Sequence, residues 1–386
     1  MAPCFLFVRD PPEATQREPG PSEMRLLSGH PASRTSPLPI NGARTVEPDL
    51  TAPSQHIPKS VPPGDRRAIV TGAAGFIGSH TAQALLRSGY TVMGLDSFDP
   101  YYDPALKRRN LREIESGAPP EAFGLTECDI TDAAALRQAF ALFQPTVVVH
   151  LAARAGVRPS IADPAAYAAT NVVGTQHVLD AAASAGCRKI VCASSSSVYG
   201  NSPTAPFGET DPVDRPISPY AATKRACELI GHTHHHLTGA SVAMLRFFTV
   251  FGPRQRPDLA IRLFLDRVKE REPITLFGDG STSRDYTYVD DIVAGILSAI
   301  DRIDDHGYRV WNLGGDHPIS LTDLVETVAS VVGVEPIIER AGMQPGDVDR
   351  TWADLTRSRA ELGYDPKTSI ADGIARQYAW MCDQPA

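Results

Sequence analysis

The sequence predicts an α/β protein built on a doubly wound parallel sheet, with a smaller C-terminal α/β lobe. From Arg66 onward, short and nearly continuous apolar runs alternate with longer segments of helical periodicity. Strands that are apolar on both faces are typical of a parallel sheet covered by helices on both sides. A glycine-rich turn joins the first strand to the first helix, and the alternation becomes irregular after about Gly252.

Each early element has its own local signal. The predicted strands are apolar runs bounded by turn residues, and they cover 68–72, 91–96, 146–152 and 189–195. The first helix is predicted over 78–89 and ends at Gly89, a residue type that commonly closes helices. A second helical pattern opens at Asn171, whose amide would otherwise serve as a simple helix cap.

The chain divides into three predicted regions, with boundaries at 1–64, 65–251 and 252–386. The first is proline-rich and without apolar periodicity, so we expect it to be disordered. Its apolar piece is too short for a secretory signal, and its acidic residues argue against a transit peptide; translation from Met24 is an alternative. The second region holds most of the parallel sheet. The third holds most of the smaller lobe and returns some strands and helices to the sheet.

Composition excludes several classes of protein. The chain has 386 residues, 42% of them hydrophobic, which is enough for a substantial core. Its net charge of -8 disfavours nucleic-acid binding, which requires a basic surface. No run approaches the roughly 18 apolar residues of a membrane span. The six cysteines are scattered without a C-x-x-C pair, which indicates reduced thiols in a cytoplasmic protein and no metal site.

The turn after the first strand has the chemistry of a dinucleotide site. Gly72, Gly75 and Gly78 allow a tight turn and a close backbone approach to a pyrophosphate, with Phe76 and Ile77 between them. The helix that follows presents free N–H groups and a positive dipole to the anion. We therefore expect a Rossmann-type fold that binds a nicotinamide cofactor.

The end of the second strand selects among nicotinamide cofactors. Asp96 stands where a carboxylate accepts hydrogen bonds from a ribose 2′-hydroxyl, and it would repel the 2′-phosphate of NADP. Ser97, and not an arginine, follows it. NAD is therefore the predicted cofactor, although without the glycines a solvated strand end would be the better interpretation of Asp96. Further cofactor contacts are predicted at other strand ends and helix starts: Asp129, Ile130, Leu151, Ala152, Ala153, Asn171 and Ser194.

A serine-rich strand end and a Tyr-x-x-x-Lys pair form the predicted chemical site. Tyr220 and Lys224 are four residues apart, so they share one helix face. A nearby ammonium favours the phenolate, which would make Tyr220 a base near neutral pH. The pair alone would be a common surface arrangement. Its position after the glycine turn and the serine strand end makes a catalytic role the preferred hypothesis.

These motifs resemble those of the extended short-chain dehydrogenase/reductases that act on nucleotide sugars. The resemblance covers about Arg66 to Trp380. Within that superfamily four stretches look like the UDP-glucuronate 4-epimerases: "GLDSFDPYYDPALKRRNL", "SPYAATK", "LRFFTVFGPRQRPD" and "FGDGSTSRDYTYVDDI". The resemblance implies NAD-dependent epimerisation at C4 of a UDP-sugar, through a 4-keto intermediate that is re-reduced on its opposite face. It also implies a homodimer joined through a helix bundle that includes the tyrosine helix.

The resemblance assigns roles to residues. Ser195, Tyr220 and Lys224 are the implied catalytic set, and Tyr220 and Lys224 also contact the cofactor. Arg256 is the implied partner of a sugar carboxylate; without the motif it would be a solvated loop charge. The implied substrate contacts are Arg158, Ser195, Ser196, Ser197, Thr249, Arg256, Arg284 and Asp347.

Other functions remain open at this stage. Ser196 and Ser197 stand where related 4,6-dehydratases have an acid–base pair, so dehydration is disfavoured. The alternatives are a UDP-glucose or UDP-N-acetylhexosamine 4-epimerase, then a UDP-glucuronate decarboxylase. A non-catalytic NAD sensor would have no reason to retain Tyr220 and Lys224. The histidines of "GHTHHHLTG" are interpreted as packing or solvated residues, since no third metal ligand accompanies them.

Overall fold

The computed structural model describes residues 66–119, 121–342 and 348–384. Its strands are β1 Arg67–Thr71, β2 Thr91–Asp96, β3 Phe123–Glu127, β4 Val147–His150, β5 Lys189–Ser195, β6 Ser241–Phe247, β7 Thr249–Phe251, β8 Ile274–Phe277, β9 Ser283–Tyr288, β10 Tyr308–Leu313, β11 Pro318–Ser320 and β12 Ile338–Ala341. The predicted disorder of residues 1–64 lies outside the described residues.

Helices separate most of these strands, as the alternating pattern predicts. They are α1 Phe76–Arg87, α2 Pro104–Gly117, α3 Ala133–Phe143, α4 Val157–Ala162, α5 Pro164–Tyr167, α6 Gly174–Ser184, α7 Pro219–Thr238, α8 Ala260–Lys269, α9 Val289–Arg302, α10 Leu321–Val332, α11 Thr356–Leu362 and α12 Ile370–Cys382. None of the helices in the described part of the chain is long and apolar enough to cross a membrane.

The main sheet has seven strands in the order β10-β6-β5-β4-β1-β2-β3, and all its pairs are parallel. This is the predicted doubly wound arrangement. Neighbouring residues of one strand point into different cores: Ile69 packs in one apolar cluster, and Ala68 and Val70 pack in the other. Full burial of each such side chain contributes about 1.5–3 kcal/mol, so strands apolar on both faces stabilise both layers.

Two small sheets follow the tyrosine helix in sequence. One has the order β11-β9-β7 and the other pairs β12 with β8. β10 leaves this region and joins the edge of the main sheet beside β6. Later segments of the chain therefore contribute to both regions, and the proposed boundary between 251 and 252 stays a prediction.

Three predicted elements differ in extent from the observed ones by two residues or more. The first helix, expected over 78–89, runs over Phe76–Arg87. The strand expected over 146–152 ends at His150: the Leu151 amide still donates to the Thr71 carbonyl, but the Ala152 amide donates to the Thr71 hydroxyl instead. The helix expected to open at Asn171 already runs from Pro164, and Asn171 lies in a π-helical turn at 168–173. Single π turns often occur at functional sites.

Candidate active site

A crevice opens at the carboxyl ends of β1 and β4, where the chain order of the main sheet reverses direction. β1 continues through α1 to β2 on one side, whereas β4 continues to β5 on the other. Open α/β sheets bind their ligands at such switch points, because the loops diverge there. A cavity of about 680 Å³ occupies this position.

The cavity brings together most of the residues that the sequence predicts. It is lined by Gly72, Gly75, Phe76, Ile77, Gly78, Asp96, Asp129, Ile130, Leu151, Ala152, Ala153, Ser194, Ser195, Ser196, Ser197, Tyr220, Lys224, Thr249, Arg256 and Arg284. We call the part bounded by Gly72–Gly78, Asp96 and Leu151–Ala153 the glycine-turn end. The part bounded by Thr249, Arg256 and Arg284 is the arginine end.

The glycine turn leaves no room for side chains. Gly72 has a φ of 71°, and a Cβ there would lie 2.9 Å from the Ala152 nitrogen. A Cβ on Gly78 would lie 2.0 Å from the Gly72 carbonyl oxygen. Gly75 precedes α1 as its N-cap without a side chain to occupy the free amides. The turn is therefore a backbone cradle at a helix N-terminus, which fits a pyrophosphate.

Asp96 ends β2 with its carboxylate held in place. One oxygen accepts from the Ala74 amide at 3.0 Å, and the other accepts from the Phe98 amide at 2.9 Å. Lys107 lies 3.7 Å from the carboxylate and is buried, although it belongs to a basic run on α2. Each carboxylate oxygen has further lone pairs, so Asp96 can still accept bonds from ribose hydroxyls.

His150 ties the end of β4 to the glycine turn. Its Nδ1 lies 2.7 Å from the Thr71 hydroxyl and its Nε2 lies 3.0 Å from the Thr175 hydroxyl. Burial, together with the positive charge of Lys224, lowers the pKa of His150 to about 3. The imidazole is therefore neutral at physiological pH, and it joins the ends of β1 and β4 to α6 by hydrogen bonds alone.

Asn171 is predicted to contact the cofactor, and that role stays a prediction. It is absent from the cavity lining, and its amide group is occupied by protein partners. The Asn171 oxygen accepts from the Arg154 amide at 2.8 Å, and its nitrogen donates to the Arg154 carbonyl and to Thr223. Asn171 thus positions the loop after β4 and links it to α7.

The predicted tyrosine and lysine lie on the first turns of α7. Ser218 caps this helix by accepting from the Ala221 amide, and Pro219 occupies its first position. Tyr220 is half-buried in the cavity wall, and the Lys224 Nζ donates to the Ala193 carbonyl at 2.9 Å. The lysine therefore anchors the tyrosine helix to the serine strand.

The serine hydroxyls at the end of β5 have different hydrogen-bond partners. The Ser195 hydroxyl donates to the Ser197 hydroxyl at 3.1 Å and accepts from the Ser197 amide at 3.2 Å, beside the cavity. The Ser194 hydroxyl instead donates to Glu228 at 2.6 Å. The Ser194 hydroxyl is therefore hydrogen-bonded within the protein, and the expected cofactor contact of this residue stays a prediction.

Arg256 is held by a side-chain cage at the arginine end. Its Nε and Nη2 both donate to Asp258, at 2.9 and 2.7 Å. The guanidinium lies over the ring of Tyr101, whose hydroxyl donates to Asp258. Burial disfavours the charge, but the Asp258 hydrogen bonds outweigh it and raise the pKa of Arg256. Thr249 lines the same part of the cavity.

The remaining predicted substrate residues have different outcomes. Arg284 lines the cavity and donates from Nη1 to the carbonyls of Ser283 and Asp349. Arg158 is absent from the cavity lining, and its guanidinium lies over the Phe277 ring at 4.9 Å. Asp347 lies outside the described residues.

Sequence reasoning missed several cavity residues, among them Arg154, Asp99 and Tyr167. Arg154 forms an ion pair of 2.9 Å with Asp99, which joins the loops after β4 and β2. Tyr167 packs edge-on against Tyr220, with ring centroids 6.2 Å apart. The position of Arg154 in the loop that follows β4 was the available signal, whereas nothing in the sequence pairs Tyr167 with Tyr220.

The histidines at the end of α7 make packing contacts. His232 lies edge-on to Tyr308, and the His235 Nδ1 lies 2.7 Å from the Ala240 carbonyl. Within the ranges that the structure describes, no three His, Cys, Asp or Glu side chains cluster as metal ligands would.

Three comparisons with known proteins agree with this geometry. The profile of the NAD dependent epimerase/dehydratase family matches residues 68–314. A UDP-glucuronate 4-epimerase of Thermodesulfobacterium geofontis is 40% identical over 314 residues, which cover 81% of this chain and 95% of the relative. The UDP-glucuronic acid 4-epimerase of Bacillus cereus, solved with UDP-glucuronic acid and NAD, has a TM-score of 0.76 at 35% identity and covers 82% of this chain and 99% of its own. A UDP-glucose 4-epimerase of Thermus thermophilus, solved with NAD, has a TM-score of 0.74 at 31% identity, with coverage of 82% and 99%.

Proposed function

The chain belongs to the NAD dependent epimerase/dehydratase family, and from that premise we propose that it interconverts UDP-glucuronate and UDP-galacturonate. The observation that carries the proposal is the shared cavity. It places Tyr220, the serine strand end and the arginine end around one space that also reaches the glycine turn. A base, an anion cradle and a carboxylate partner are the groups that this reaction requires.

The residues at the glycine-turn end fit NAD. Gly72, Gly75 and Gly78 would receive its pyrophosphate, and Asp96 would accept hydrogen bonds from a ribose of the cofactor. When bound, NAD accepts a hydride from the sugar C4 carbon and returns it to the opposite face of the resulting ketone, which inverts that centre. Every other task falls to side chains of the chain itself.

Tyr220 is the proposed acid–base residue. Its phenolate oxygen would take the proton from the sugar 4-hydroxyl, and the resulting phenol would later return a proton to the same oxygen. Lys224, one turn further along α7, supplies a positive charge that stabilises the phenolate. Its bond to the Ala193 carbonyl fixes that charge between the helix and the serine strand.

Ser195 is the proposed partner of the reacting oxygen. Its hydroxyl already forms a hydrogen bond with the Ser197 hydroxyl, so it has a proton relay or an acceptor within reach. From this position Ser195 would hold the 4-hydroxyl in the direction of Tyr220. Such positioning lowers the entropic barrier to proton transfer.

A uronate requires control of its carboxylate, because a ketone at C4 is β to that group and favours loss of CO₂. We propose that Ser196, Ser197, Thr249 and Arg256 hold the carboxylate so that its bond to C5 is not aligned with the ketone. Arginine suits this task because its planar fork matches a carboxylate. Arg284 and Asp347 are the proposed nucleotide contacts, which anchor the intermediate while the sugar turns, and Arg158 is a weaker candidate.

One observation favours a second function. Asp258 already occupies two nitrogens of Arg256, so the pair is nearly neutral as a whole. A sugar without a carboxylate would bind beside this ion pair at a lower desolvation cost than beside an arginine whose charge has no partner. A UDP-glucose or UDP-N-acetylhexosamine 4-epimerase is therefore the alternative. No comparable observation favours a decarboxylase, because Ser196 and Ser197 are poor acid–base groups.

We propose a cytoplasmic homodimer joined through the helices next to the tyrosine. Leu229 and Leu237 on α7 are 54% and 76% exposed. Val173, which directly precedes α6, is 47% exposed. Large exposed apolar side chains on neighbouring helices suit a helix-bundle interface. Sedimentation of the wild type and of a Leu229→Glu variant tests this: the variant should sediment as a monomer.

Product analysis tests the activity. Purified protein, without added NAD, is incubated separately with UDP-glucuronate and UDP-glucose. Formation of UDP-galacturonate from the first substrate alone supports the proposal together with a retained cofactor. Formation of UDP-galactose from the second alone moves the function to the neutral-sugar epimerases and removes the role given to Arg256. Release of CO₂ from UDP-glucuronate would identify a decarboxylase.

A further inference from the structure

We propose that Glu228 and Ser194 are positioning residues for the reaction, because their hydrogen bond fixes the catalytic strand against the tyrosine helix. The inference rests on the proposed function, in which Tyr220 and Ser195 act on the same oxygen. Neither Glu228 nor Arg246, its main partner, lines the cavity that holds the reacting groups. Their effect on the reaction therefore has to pass through the elements that they join.

Three residues of α7 form one stripe that faces the end of β5. Tyr220, Lys224 and Glu228 follow one another at intervals of four, so they lie one above the other on the helix. Lys224 donates to the Ala193 carbonyl, and Glu228 accepts from the Ser194 hydroxyl at 2.6 Å. The helix is thus hydrogen-bonded to two consecutive strand residues immediately before Ser195.

Glu228 is itself held rigidly. It is fully buried, and its two oxygens accept from Arg246 Nε at 2.8 Å, Arg246 Nη2 at 2.9 Å and Arg225 Nη1 at 2.8 Å. Burial alone would raise the pKa of Glu228, but the bonds from Arg246, Ser194 and Arg225 outweigh it and lower the pKa. The carboxylate is ionised, and its acceptor direction toward Ser194 is defined by a bidentate pair.

The same arginine also anchors the turn that follows the serines. Arg246 Nη1 donates to the Tyr199 hydroxyl at 2.9 Å, and Tyr199 donates to Asn312 at 2.7 Å. Tyr199 ends the short 3₁₀ turn that begins at Ser196. Glu228 and Arg246 therefore fix the segment on both sides of Ser195, since Ser194 precedes it and the turn follows it.

A positioning role differs from a packing role in what Ser194 contributes. If Ser194 only filled space, an alanine would replace it with little effect, since one small side chain is exchanged for another. If its bond sets the distance between the Ser195 hydroxyl and Tyr220, its loss slows proton transfer. Small displacements of reacting groups reduce rates strongly, whereas ground-state binding through the nucleotide is unaffected.

The test compares Ser194→Ala with Glu228→Gln and with Ser184→Ala as the matched control. Ser184 is exposed and its hydroxyl donates to the Asp180 carbonyl of its own helix, outside the Glu228 network. Steady-state kinetics are measured on whichever UDP-sugar the wild type turns over. Bound NAD and the melting temperature are measured on every variant.

We expect Ser194→Ala to lower kcat about tenfold while KM, bound NAD and the melting temperature stay close to wild type. Ser184→Ala should keep kcat within about twofold. In the double variant Ser194→Ala/Glu228→Gln, the losses in kcat should be less than additive, because Glu228→Gln weakens the same bond that Ser194→Ala removes. If Glu228→Gln does not fold, Ser194→Ala alone decides.

Two results would overturn the inference. One is an unchanged kcat in Ser194→Ala. The other is a loss of kcat that runs parallel to losses of bound NAD and thermal stability, which would indicate packing alone. The proposed function fails separately, through the identity of the wild-type product.

Discussion

The two ends of the cavity are built in different ways. At the glycine-turn end, Gly72 and Gly78 supply backbone atoms within one short strand–turn–helix segment, and a buried Asp96 closes it. At the arginine end, Arg256 is held by side chains from two segments: Asp258 in its own loop and the ring of Tyr101, which is distant in sequence. The backbone at the glycine-turn end tolerates almost no change in shape, whereas the Arg256 side chain can exchange one hydrogen-bond partner for another. We therefore expect the glycine-turn end to bind the cofactor in one position and the arginine end to determine which sugar is accepted.

The strongest expected effect concerns the residue between the two ends. Tyr220→Phe removes the proposed proton acceptor and should lower kcat about 10³-fold, within the range of general acid–base catalysis. Product formation and bound NAD are the measurements. Bound NAD should stay at the wild-type level, because the glycine turn is untouched. Tyr90→Phe, far from the cavity lining, is the control and should retain full activity. Full activity of Tyr220→Phe would remove the base assignment.

The glycine-turn end should be the more sensitive to small additions of volume. Gly78→Ala places a Cβ 2.0 Å from the Gly72 oxygen, so backbone must move. Overpacking of this kind costs about 1–3 kcal/mol, and we expect NAD to bind about 100-fold more weakly. The measurement is the NAD content of the purified protein and its affinity by titration.

Gly117→Ala is the matched control, since a Cβ there meets nothing within 4 Å. This variant should keep wild-type NAD. If Gly78→Ala also kept it, the turn would not be the pyrophosphate cradle, and the contrast between the two ends would lose its physical basis.

The arginine end should respond to the charge of the substrate instead. Arg256→Ala removes a charged hydrogen-bond donor, and we expect kcat/KM for UDP-glucuronate to fall about 30-fold. Turnover of UDP-glucose, if present, should change much less, because that sugar has no carboxylate. Arg262→Ala, which breaks a pair with Asp266 away from the cavity lining, is the control. An equal loss on both sugars would reassign Arg256 to general packing.

A difference between local and distant contacts also explains which features could be predicted from the sequence. The parallel sheet, the glycine turn and the Tyr220–Lys224 pair are encoded by residues close together, so local pattern was sufficient. The partners of the Asn171 amide, Arg154 and Thr223, come from elsewhere in the chain, so local pattern does not predict them. The Ser194 hydroxyl likewise donates to Glu228, a pairing that no local spacing reveals. The burial of Lys107 has no local signal either, because a basic run on a helix usually faces water.

The smallest expected effect is the pH dependence of stability that His150 contributes beside the glycine turn. The pKa of His150 is about 3 in the fold against an ordinary value of 6.5, because burial and then Lys224 disfavour its charge. Between these values the unfolded chain binds more protons than the fold, so stability falls as pH decreases below 6.5. The free energy of unfolding should drop by about 1 kcal/mol from this group between about pH 7 and about pH 5.5.

His150→Gln should remove that part of the acid sensitivity, and urea unfolding at the two pH values measures it. The exposed His317 supplies the control, because His317→Gln should leave the pH dependence as in the wild type. An unchanged acid sensitivity in His150→Gln would mean that His150 gains its proton without breaking its bonds to Thr71 and Thr175. In that case the junction of β1, β4 and α6 beside the glycine turn would be less rigid than its buried hydrogen bonds indicate. The two ends of the cavity would then differ less in rigidity than we propose.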